Sequence, residues 1–128
     1  MMGSRVADCF DTLFFAESTI GAPVVEGPDL IVPVRGVHPM EAFPPPHGIG
    51  PIAGRLIFLN AASSSRIVTE YVGDPTGPEG FKEPYTVSDA VAGNLDGGRE
   101  YAFEGVQDHP AAWVDWTVRA GGFALELD

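Results

Sequence analysis

Residues 100–127 decide how this chain is read. They run Glu100-Tyr-Ala-Phe-Glu-Gly-Val106, Gln107-Asp-His-Pro110, Ala112-Trp-Val-Asp-Trp-Thr-Val-Arg119, Ala120-Gly-Gly122 and Phe123-Ala-Leu-Glu-Leu127. Three runs with a period of two are separated by two breaks rich in turn residues, which is the pattern of an antiparallel meander. Successive side chains of a strand point to opposite faces, so each run divides into an inner and an outer set. Tyr101 and Phe103, then Val114, Trp116 and Val118, then Phe123, Leu125 and Leu127 form the expected inner wall. Glu100, Glu104, Trp113, Asp115, Thr117, Arg119 and Glu126 are left outside. Fully burying a Phe or Leu side chain stabilises a fold by about 1.5–3 kcal/mol. A slip of one residue would turn the whole wall to water, so the register is well specified.

The upstream segments repeat this pattern. Gly54–Asn60 and Arg66–Val72 flank the polar stretch Ala61–Ser65 and predict a hairpin. Pro23–Glu26 and Asp29–Arg35 predict another around Gly27-Pro28, with Pro33 marking an edge or a bulge because it cannot donate to a ladder. Tyr85–Ser88 is a short strand, and the Gly-, Pro- and Asp-rich stretches around 73–80 and 91–98 are turns and loops. Residues 37–53, with five prolines between Pro39 and Pro51, form a long irregular Pro/Gly-rich loop. The run from Val6 to Glu17 fits a short N-terminal helix by its 3.6-residue spacing and a strand by its alternation; its poor helix formers favour a strand from about Asp11.

Helical stretches do not alternate with the strands, which excludes a parallel α/β architecture. The expected fold is therefore all-β: one antiparallel domain over residues 1–128, a β-sandwich or partly open barrel ending in a three-stranded meander.

The charge is lopsided. Eighteen acidic residues against seven basic ones give −11, and residues 70–128 alone hold twelve acids and three bases. Such a field repels nucleic acid and anionic membrane surfaces and attracts a basic protein partner. No apolar run reaches the ~20 residues of a membrane-spanning helix. A single cysteine, Cys9, with no visible leader, leads to the expectation of a cytoplasmic protein without disulfides.

No motif for chemistry emerges, so no catalytic residue, metal ligand or cofactor is assigned. Ser63–Ser65 lack the Gly-x-Ser-x-Gly context of a nucleophile elbow, and Cys9 in an apolar run is ordinarily a small buried hydrophobe. His38, Glu41 and His47 are zinc-type ligands separated by prolines at a spacing that matches no metal motif. The glycine pairs at 48–50 and 97–98 do not complete a phosphate loop. The unusual residue is Trp113, an aromatic expected on a polar outer face. Aromatics placed this way anchor protein interfaces and stack on sugars. Trp113, Asp115, Glu70 and Glu104 are accordingly the candidate binding residues.

The expected function is a non-catalytic acidic interaction domain that meets a basic protein. Intracellular inhibitors of cationic enzymes, such as bacterial immunity proteins, share this size, charge and cysteine content, although no motif links the chain to them. The alternative is a small-ligand or carbohydrate-binding β-sandwich; a hydrolase is the least supported class.

Overall fold

A computed structural model describes residues 4–7, 10–15, 18–39, 51–72, 80–89, 91, 98–108 and 111–127. Among the described residues ten strands occur in the order β1 (Ser4–Ala7), β2 (Leu13–Phe14), β3 (Thr19–Ile20), β4 (Val24–Glu26), β5 (Asp29–Pro39), β6 (Ile52–Val72), β7 (Gly80–Phe81), β8 (Tyr85–Ser88), β9 (Arg99–Asp108) and β10 (Ala111–Leu127). Between β1 and β2 the chain makes a three-residue 3-10 turn, Phe10–Thr12, so the ambiguous N-terminal run resolves into strand, turn and strand. The all-β expectation holds.

Five strands close a barrel in the cyclic order β3–β5–β6–β10–β9. An odd number of strands cannot all be antiparallel around a closed ring. The required parallel contact is the seam between β3 and β9, where Thr19 pairs with Val106. The Val106 N–H also donates to the Ser18 carbonyl at 2.9 Å. The remaining strands extend this ring: β1 along the end of β10, β2 and β4 along β5, and β7 and β8 along the second half of β6.

Two expected breaks are absent. Ala61–Ser65 is not a hairpin turn; β6 runs unbroken for 21 residues, with Ser63, Ser64 and Ser65 opposite Arg119, Val118 and Thr117. Ala120–Gly122 is likewise interior to β10, so the last two runs of the expected meander are one strand rather than two. Both stretches mark a bend. The register shifts between Arg119 and Ala120, and Asn60 takes a left-handed φ of 54° while its N–H donates to the Asp29 carboxylate at 3.0 Å. An extra residue in one strand of a pair increases local twist, and this bend lets β6 pair with β10 on one side while meeting β5 and then β8 on the other.

The first hairpin forms as expected, with Val24 opposite Ile31 and Gly27 in the left-handed region. Pro33 lies between the parts of β5 paired with β4 and with β3. The bulge falls just after it, between Arg35 and Val37. The expected irregular segment 37–53 is shorter at both ends, because β5 continues to Pro39 and β6 begins at Ile52; its middle lies outside the described residues.

Inside the barrel the predicted wall is buried, with Tyr101, Phe103, Val114, Trp116, Val118, Phe123, Leu125 and Leu127 all at 6% exposure or less. Phe10 meets Tyr101 and Phe123 edge-on, with centroids at 5.0 and 5.2 Å. Phe58 stacks on Phe103 at 5.6 Å, and Phe103 stacks on Trp116 at 5.4 Å. Each such contact adds about 0.5–1.5 kcal/mol beyond the area it buries. The Arg99 guanidinium covers Tyr101 at 4.7 Å and is held there by Asp11. Gly105 makes room for the seam: a Cβ there would lie 2.7 Å from Ile20 Cδ1 and 2.8 Å from Ser18 Oγ.

Candidate functional site

The second halves of β6 and β9 and the first half of β10 present an outer face to solvent. On it Trp113 lies between Val106 of β9 and Thr69 of β6 and is half-buried. Asp115, the next outward residue of β10, lies between Glu104 and Ile67. Ile67, Val106 and Tyr71 are among the exposed large hydrophobic side chains. Asp115 and Glu104 are both exposed and directly opposite one another, and neither has an ion-pair or hydrogen-bond partner among the described residues. Like charges directly opposite on a sheet are destabilising. Three of the four sequence-derived binding residues are thus brought together here.

Glu70 is not. It opposes the buried Ala112, on the other side of the sheet from Trp113. There it accepts a 2.6 Å hydrogen bond from the Tyr85 hydroxyl and pairs with Lys82 at 3.4 Å. The Tyr85 bond, backed by the Lys82 ammonium, holds the Glu70 carboxyl below its ordinary value of 4.5 and pushes the Tyr85 phenol up. A depressed carboxylate contributes stability that is present above its unfolded value and lost as pH falls through its folded value. Glu70→Gln should therefore flatten the loss of urea resistance below pH 4.5, while Asp11, depressed by its bond to Arg99, preserves part of the slope. Urea midpoints that fall in parallel for variant and wild type on acidification would show that Glu70 is not linked to folding.

The sequence reading missed a polar chain on that inner side. The buried Trp116 indole N–H donates to Ser64 Oγ at 2.8 Å, and the Ser64 hydroxyl donates to Asp89 at 2.7 Å. The other Asp89 oxygen pairs with Arg66 at 2.8 Å, and the guanidinium lies 4.7 Å above the Trp116 ring. The Arg66 and Asp89 side chains are only 16% and 9% exposed, and Arg66 Nε is buried without an acceptor among the described residues. Reading Ala61–Ser65 as strand would have put Ser64, Arg66 and Val68 on one face. Nothing in the sequence would have brought Asp89 to them.

Beside this chain is an open cleft of about 960 Å³, bounded by the β3–β4 segment, β5, both halves of β6, β8 and the end of β9. A shallower groove of about 450 Å³ runs past the exposed Phe14 toward Glu104 and Asp115.

No family model, curated protein or solved structure matches the chain. Of the zinc-type residues, His38 lies in β5, while Glu41 and His47 fall outside the described residues. Among the described residues no three His, Cys, Asp or Glu side chains gather as a metal site would require, and no helix is long and apolar enough to cross a membrane.

Proposed function

We propose that the protein is a non-catalytic binding domain whose acidic outer face, centred on Trp113, docks a basic surface of a partner protein. The observation that carries this reading is the exposed Asp115–Glu104 pair, directly opposed and without a cation among the described residues, beside an aromatic and two exposed aliphatic side chains. A facing Lys or Arg would relieve the repulsion, and Trp113, Ile67 and Val106 supply the apolar contact that charge alone lacks. The net charge of −11 speeds the encounter with a cationic partner. The same Trp113 surface could stack a sugar, but that contact would be insensitive to salt.

Titration with heptalysine as a cationic probe, followed by backbone amide shifts, tests this directly. The expected perturbations concentrate on Ile67–Glu70, Ala102–Val106 and Trp113–Thr117. Binding should weaken steeply between roughly 0.01 and 0.15 M salt, where the Debye length shrinks from about 30 to about 8 Å. The double variant Glu104→Lys, Asp115→Lys should lose most of the binding and keep its fold. Perturbations scattered evenly over the acidic residues would sink the proposal.

A further inference from the structure

The cleft points to a second site, unrelated to the outer acidic face. In a chain with eighteen acids and seven bases, its lining holds Arg35, Arg55 and Arg66 but a single acid, Asp108. Each of the three is already paired with a carboxylate, Asp108, Glu126 or Asp89, so the cleft is close to neutral in a chain that is otherwise acidic. Much of the rest of the lining is apolar: Ile20, Pro33, Val34, Val68 and Val87, with Tyr85 adding an aromatic ring. The volume of about 960 Å³ is within the range of roughly 300–1,000 Å³ typical of small-molecule sites, which are mainly apolar with a few placed polar groups.

Arg66 supplies such a group. Asp89 and the Trp116 ring fix its guanidinium, which leaves the buried Nε–H with no acceptor among the described residues. A buried donor without an acceptor is rare in folded proteins and costs free energy. Arg35 and Arg55 reach acids of their own at the rim, Asp108 at 2.7 Å and Glu126, and both arginines are more than half exposed. We infer that the cleft binds a small amphipathic carboxylate, its apolar body against the aliphatic lining and its anionic head at Arg66. A planar carboxylate suits the fork of donors on a guanidinium, and charge-assisted bonds of this kind are about twice as strong as neutral ones.

Calorimetric titration of the full chain with octanoate and with octanol separates head-group recognition from apolar partitioning. Octanoate is expected to bind about tenfold or more tighter than octanol, the scale of one charge-assisted bond. Replacing Arg66→Met together with Asp89→Leu removes both charges and should abolish the preference while octanol still binds. Ala22→Trp, at an exposed position of the lining, should weaken both ligands by filling the cleft, and it leaves the buried pair untouched if the double variant does not fold. Glu104→Lys with Asp115→Lys should leave octanoate binding unchanged. Equal affinity for the two probes, no octanoate binding at all, or binding unaffected by Ala22→Trp would each overturn the inference.

Discussion

Trp116→Ala is expected to destabilise the domain by about 3–5 kcal/mol, the cost of truncating a large buried aromatic. Whole-domain stabilities are about 5–15 kcal/mol, so this one change removes a large share of the total. The ring is 1% exposed and stacked on Phe103, carries the Arg66 guanidinium on its face, and donates its N–H to Ser64. Truncation opens a cavity, removes a desolvated cation–π contact worth about 2 kcal/mol, and takes a donor from a buried hydroxyl. Urea unfolding with an unchanged slope and a much lower midpoint is the expected result. Trp116→Phe should fall between wild type and Trp116→Ala, because it keeps the stack and loses the N–H. A loss under about 1 kcal/mol for the alanine variant would mean that the side chain is not packed as described.

Asp89→Ala should cost about 3–5 kcal/mol, because it strands a mostly buried guanidinium. Exposed pairs behave differently. Arg35–Asp108 has side chains 67% and 48% exposed, so Asp108→Ala should cost no more than about 1 kcal/mol. The deciding comparison is the double variant Arg66→Met, Asp89→Leu. Replacing a buried ion pair with apolar side chains of similar volume is often neutral or stabilising, so the double variant should be more stable than Asp89→Ala alone. If the two lose stability equally, the pair does not act as a coupled unit. A recovered double variant would also show that the ion pair is not required for the fold, which fits a role for Arg66 in recognition.

These two experiments act on the part of the molecule least visible in the sequence. The inner wall was legible because Val114, Trp116 and Val118 alternate without interruption and each is buried. The outer grouping of Trp113, Asp115 and Glu104 followed from the same alternation once β9 and β10 paired. The reading failed where residue type and role diverge. Gly121 and Gly122 look like a turn, yet they lie at a bend inside β10 opposite the β6 segment around Leu59. Ser63–Ser65 look like a solvated loop, yet Ser64 is 4% exposed and its hydroxyl is satisfied by two side chains distant in sequence. Glu70 shares acidity with Glu104 and Asp115 but not their face, because neighbours in a strand point to opposite sides and Glu70 follows the outward Thr69. Long-range pairings settled the glycine and serine positions, about which alternation within one strand carries no information, whereas alternation alone places Glu70 on the other face.

The seam between β3 and β9 has a consequence for how the chain reaches this state. The ring closes only when residue 19 meets residue 106, a pairing between strands near opposite ends of the chain. The entropy of joining distant points grows only slowly with the length between them, but it must be overcome before any closing contact repays it. The adjoining strand, β3, is two residues long and offers little in return. The long β6–β10 ladder can therefore assemble early as an open curved sheet, with cyclisation as the late and slow event. In the finished molecule the same short join is the cheapest place for the cylinder to part.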